Sequence, residues 1–113
     1  FYFLTVGTQS FFTAMNGCAA VGAHLVTITS TAEQSAVSPL GAGTERWIGL
    51  RRQNGAPPQD ASYAWITGEP RAGFAAWAAG EPNGSGSCGA MSAASNWADE
   101  SCSQSFASLC ERE

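Results

Sequence analysis

The stretch Gly80-Glu81-Pro82-Asn83-Gly84-Ser85-Gly86-Ser87-Cys88 sets a carboxylate and a carboxamide on either side of a proline, close to a cysteine. In a chain whose charged residues make up only 12%, an acidic side chain in a flexible polar run is an uncommon choice for an ordinary turn. Glu81 and Asn83 are therefore candidate ligand contacts. A further carboxylate, Asp99, stands in Asn96-Trp97-Ala98-Asp99, just before Cys102. Catalytic chemistry has little to build on. The chain has one histidine, His24, no lysine and no Ser-His-Asp candidate, so no catalytic residue is assigned. Glu81 and Asp99 could imitate the carboxylate pair of a glycosidase, but nothing else supports turnover.

Four cysteines, Cys18, Cys88, Cys102 and Cys110, carry the remaining special chemistry. None sits in a CxxC pair, and a lone histidine does not complete a zinc set. An even count without metal-ligand spacing reads as two disulfides formed in an oxidising compartment, and spacing alone allows three pairings. The chain of 113 residues fits one domain, residues 1–113, with a hydrophobic fraction of 44% that supports a real core. A net charge of -4 with scattered arginines excludes a nucleic-acid footprint and gives no attraction to anionic membranes. No apolar run approaches a membrane span, and Phe1–Val6 is too short and uncharged for a signal peptide.

The elements that must position these residues are legible in outline. Phe1–Val6 is aromatic and β-branched and predicts a first strand. Phe11, Ala14, Met15 and Cys18 fall on one helical face, with Ser10 as N-cap and Gly22 as the stop. Ser30-Thr31-Ala32-Glu33 has capping-box spacing and opens a second helix through Val37. Arg46–Arg51 reads as a central strand with Trp47, Ile48 and Leu50 inside, followed by a polar loop and a strand carrying Tyr63 and Trp65 on one face. Gly68–Ser87 is a long aperiodic connection, with Phe74 and Trp77 expected to pin it, and such a stretch is usually functional. Strands are then expected around Trp97 and Leu109. Helices segregated from an antiparallel sheet make this an α+β fold.

Trp47-Ile48-Gly49-Leu50, Trp77 leading into Gly80-Glu81-Pro82-Asn83, Trp97 and Asp99 before Cys102, and a terminal Cys110 together resemble the C-type lectin-like domain over the whole chain. The resemblance implies the C-type lectin-like fold, with two helices packed on antiparallel sheets, a long loop region and disulfides Cys18–Cys110 and Cys88–Cys102. It implies a cis bond before Pro82. It also implies that Glu81, Asn83 and Asp99 contact carbohydrate and hold Ca2+, with the mannose, glucose and fucose preference that goes with Glu-Pro-Asn. Calcium takes six to eight oxygens, and carboxylate, carboxamide and carbonyl all qualify.

The chain departs from that pattern at Gly86, where a further Glu is expected, and at Ala98, where an Asn is expected. Fewer charged ligands push such a site toward millimolar affinity. The implied function is a secreted or extracellular carbohydrate-binding module acting on sugars or glycoproteins, as part of a larger protein. The alternative is a calcium-independent protein–protein contact module on the same fold. Asn83-Gly84-Ser85 also fits the N-glycosylation acceptor pattern.

Overall fold

The computed structural model describes residues 1–71 and 73–112. Ala72, inside the expected long connection, and Glu113, the expected end of the domain, lie outside the described residues. The first helix, α1, runs Phe11–Ala20. Ser10 caps it by accepting the Thr13 N–H; of the predicted face, Phe11, Ala14 and Cys18 are buried and Met15 is half-buried. Gly22 follows with φ +75°, the left-handed conformation that stops a helix without a Cβ clash. The second helix, α2, runs Thr31–Val37, with Ser30 accepting the Glu33 N–H at 3.2 Å. The capping box is not closed in the usual way. The Glu33 carboxylate accepts instead from the Thr29 N–H (2.8 Å), the Thr29 hydroxyl (2.7 Å) and the Tyr2 hydroxyl (3.2 Å).

The strands are β1 (Tyr2–Leu4), β2 (His24–Leu25), β3 (Arg46–Arg52), β4 (Tyr63–Trp65), β5 (Cys88–Met91), β6 (Trp97–Glu100) and β7 (Ala107–Glu111). Their order is β1-β7-β3-β5-β6, with β2 added to β7 and β4 to β3. All pairings are antiparallel except β3 with β7, which is parallel, so the sheet is mixed. Strand β5 is the element that sequence patterning misses. Cys88-Gly89-Ala90-Met91 has no β-branched residue, yet it lies between β3 and β6 and is buried throughout. Packing explains the composition: a Cβ at Gly89 would stand 2.7 Å from Leu50 Cβ, so the crossing with β3 requires glycine.

Apolar side chains form two clusters on opposite faces. One holds Phe11, Cys18, Leu25, Trp47 and Cys110 under α1; the other holds Ile48, Leu50, Tyr63, Trp65 and Trp97 on the loop side. Disulfide Cys18–Cys110 ties α1 to β7, and Cys88–Cys102 closes β5 onto the turn after β6. With sequence separations of 92 and 14, the two cross-links restrict the unfolded chain by about 4–5 and about 3 kcal/mol in the chain-entropy view.

The described residues of the long connection have little regular structure but are not loose. Asp60 accepts from Arg71 Nη2 at 2.6 Å and from the Trp77 indole N–H at 2.7 Å. Burial pushes the Asp60 carboxyl up, but these two donors and the Arg71 charge outweigh it and hold it low. The backbone of Trp97 bonds to Ala76 and Ala78, while Phe74 and Trp77 meet the Trp97 ring edge-on. These contacts deliver residues 78–85 to the edge of β6.

Candidate functional site

The Glu81–Pro82 peptide bond is cis. Glu81 and Asn83 stand side by side, with Asn83 Nδ2 donating to Glu81 Oε2 at 3.1 Å in an exposed position. Asp99 comes from β6, beneath them. The structure thus brings Glu81, Asn83 and Asp99 together from two separate segments. Their environments differ sharply.

Asp99 is 1% exposed. Its Oδ1 accepts the Asn83 N–H at 3.0 Å, and its Oδ2 accepts the Gly84 N–H at 2.7 Å and the Tyr63 hydroxyl at 3.2 Å. Its backbone carbonyl accepts from the Ser85 hydroxyl at 2.9 Å, and its N–H donates to Glu81 Oε1 at 3.3 Å. The Asp99 side chain is an internal brace for the turn at 83–85. Burial pushes its carboxyl up, yet the hydrogen bonds from Glu81, the two backbone N–H groups and Tyr63 prevail and hold it below the usual carboxylate range.

Glu81 moves the other way. Burial and its hydrogen bond with Asp99 raise it, the Asp99 N–H opposes, and the charges of Asp99 and Glu100 raise it further. On acidification Glu81 is therefore the first of the pair to take a proton. Glu100, next along β6, is also raised, by burial and by the charges of Glu45 and Asp99. Burial and the Asp99 charge push the Tyr63 phenol well above its ordinary value, so it serves Asp99 as a neutral donor.

Calcium demands six to eight oxygens aimed at one point. Here both Asp99 carboxylate oxygens and its carbonyl already receive N–H or O–H hydrogens, and Asn83 Oδ1 receives the Ser85 N–H at 2.9 Å. Ala98 adds no side-chain oxygen. Position 86 has no room for one, because a Cβ on Gly86 would lie 2.0 Å from the Glu100 carbonyl carbon and oxygen. Among the described residues, no group of three or more His, Cys, Asp or Glu is placed to hold a metal ion. As arranged, these residues do not present a calcium shell.

Tyr63, Ser85 and the Gly84 N–H belong to the site but are not legible from sequence. Tyr63 pairs with Trp65 by period two and reads as core, and it is buried. Only the fold shows that its hydroxyl ends on Asp99, 36 residues away.

Two helices on a mixed sheet, two nested disulfides and a long loop ending in a cis Glu-Pro-Asn edge are the architecture of a C-type lectin-like domain. The Lectin C-type domain family matches residues 7–112, and the chain belongs to that family, whose members are non-enzymatic binding modules. Among curated relatives it is 28% identical over 120 residues to human C-type lectin domain family 4 member K, covering 99% of this chain but 35% of that protein. The chain thus spans about a third of that relative's length.

Among solved structures, it is similar to a calcium-independent type II antifreeze protein, with TM-score 0.85, 28% identity, and 96% of this chain and 82% of that one covered. It is equally similar to the cow CD23 carbohydrate-recognition domain solved in the presence of an oligosaccharide, with TM-score 0.85, 26% identity, and 96% and 84% covered. A disulfide-bonded C-type lectin domain points to an extracellular or cell-surface protein.

Proposed function

We propose that this domain is a secreted carbohydrate-recognition module whose contact edge is Glu81-Pro82-Asn83, braced by Asp99, and that it works without a resident calcium ion. The observation that carries the reading is the exposed pairing of the Glu81 carboxylate with the Asn83 carboxamide across a cis peptide bond. A carboxylate has about four acceptor sites and an amide nitrogen two donors. Glu81 uses two acceptor sites, on Asn83 Nδ2 and the Asp99 N–H, and Asn83 Nδ2 uses one donor on Glu81. Free capacity for one hydroxyl to donate and a neighbouring hydroxyl to accept remains at the surface, which suits a vicinal diol. Asp99 has no such access and acts as a positioning residue.

The sugars to try first are mannose, glucose and fucose glycosides, the class that accompanies Glu-Pro-Asn in the family. The similarity to a carbohydrate-recognition domain supports the ligand class, and the similarity to a calcium-independent protein supports the absence of a metal requirement. Titration calorimetry with methyl glycosides, in millimolar calcium and in chelator, tests both parts. Equal heats in the two buffers, abolished by Glu81→Gln, are expected. Heat seen only with calcium would refute the metal-free mode. Silence from every glycoside would leave the protein-contact alternative, with the pinned connection as its surface.

A further inference from the structure

We propose that a second ligand site lies on the other face of the sheet: a cleft between α1 and the β3–β4 pair that binds a small organic anion, a carboxylate or sulfate ester of monosaccharide size, anchored by Arg51. The cleft has a volume of about 350 Å³ and is lined by Met15, Arg51, Gln53, Asn54, Ala64 and Ile66, with the Arg52 and Trp65 segments completing its wall. That volume is at the small end of ordinary ligand clefts. None of Glu81, Asn83 or Asp99 lines it.

Strand alternation separates the two sites. Arg51 is the register partner of Ala64, and Arg52 that of Tyr63. Register partners share a face and neighbours along a strand alternate. Arg51, Ala64 and Ile66 therefore face α1, while Tyr63 and Trp65 face the loop side that holds Asp99. Ala64 leaves space opposite Arg51 that a larger side chain would fill, and Met15 and Ile66 give the cleft an apolar floor.

Arg51 is suited to an anion because no carboxylate or carbonyl engages its guanidinium. Arg46 is buried and donates to the Leu40, Thr44, Ser38 and Ser92 carbonyls. Arg71 is paired with Asp60, Arg112 donates to the Val21 carbonyl, and Arg52 reaches Ser87 Oγ. Among the described residues, none accepts a hydrogen bond from the exposed Arg51 guanidinium, although the Arg51 backbone is paired within the sheet. Its guanidinium stands 4.9 Å from the centroid of the Phe12 ring, a ring left 41% exposed on α1. Stacking on an aromatic face holds the head group while leaving its in-plane N–H donors available for a bidentate oxyanion. The Gln53 and Asn54 carboxamides at the rim add neutral donors. No carboxylate lines the cleft, although the chain as a whole carries a net charge of -4.

The test is a titration of the isotope-labelled domain followed by amide shifts, at constant ionic strength, with three probes: glucuronate, N-acetylglucosamine 6-sulfate and neutral N-acetylglucosamine. Saturable shifts at Met15, Ala64 and Ile66 with an acidic probe and none with the neutral one are expected. Whichever acidic probe responds identifies the anionic group. Arg51→Gln removes the charge-assisted hydrogen bonds of the guanidinium and should weaken binding about tenfold or more. Ala64→Leu should block the cleft by volume while the spectrum stays dispersed. Glu81→Gln should leave this binding unchanged, which separates it from the carbohydrate edge. Equal response to the neutral sugar, undiminished binding in Arg51→Gln, or no saturable shift with either acid would each overturn the assignment.

Discussion

Replacing Asp99 by Asn keeps the shape of the side chain and removes its charge and one acceptor atom. If the amide oxygen stays at the Oδ2 position, it still meets Gly84 N–H and Tyr63 hydroxyl, and the new NH2 confronts the Asn83 N–H. If it flips, the Gly84 N–H at 2.7 Å loses its acceptor instead. Either way one enclosed donor goes unpaired, at about 1–3 kcal/mol, and the surviving bonds fall from charge-assisted to neutral strength. The combined loss is about 3 kcal/mol. A domain of 113 residues unfolds with an entropy near 0.24 kcal/mol/K on the usual per-residue scale, so the melting point should drop by about 12 °C. Calorimetric or circular-dichroism melts at neutral pH measure it.

Acid gives an independent check on sign. The Asp99 carboxyl is lowered from the ordinary value of 3.8, so its stabilisation is complete above that value and fades as pH falls toward the folded-state pKa. Glu81, which is raised, works in the opposite sense: its protonation on the way down relieves a cost of the folded state. The gap between wild type and Asp99→Asn should therefore narrow only below about pH 4. A binding ion would raise the melting point by mass action, and here calcium and chelator should give the same curve. The reasoning fails if Asp99→Asn melts with the wild type, if the gap does not narrow below about pH 4, or if chelator alone destabilises the native domain.

Two further outcomes follow from single contacts. Gly86→Ala forces a methyl to within 2.0 Å of the Glu100 carbonyl group, so the loop or the end of β6 must move; a loss of about 3 kcal/mol in urea unfolding is expected, with displaced amide shifts at Asn83 and Gly84. Asp60→Ala removes the acceptor shared by Arg71 and Trp77. It should speed tryptic cleavage after Arg71 severalfold while the denaturant midpoint changes little, because the contact holds a loop and not the core.

Much of the fold follows from local pattern. Ser10 and Ser30 cap the helices because their hydroxyls need only reach N–H groups three residues on. The buried face of α1 is set by 3.6-residue spacing, and Trp47, Ile48 and Leu50 announce β3 by composition. Strand β5 escapes such reading because its residues are small for a non-local reason, the close crossing over Leu50. The parallel β3–β7 pairing is equally invisible, since register between strands far apart in sequence leaves no local mark.

From the amino-acid order alone came the family resemblance, the oxidising chemistry of the cysteines, and the grouping of Glu81, Asn83 and Asp99 as the oxygen-bearing residues of interest. Tertiary structure decided how those oxygens are spent. Asp99 faces inward and saturated, Glu81 and Asn83 outward with capacity to spare, and Arg51 sits unclaimed over Phe12 on the opposite face. A side chain's type sets which bonds it can make. Which partners arrive within about 3 Å depends on segments that only folding brings together.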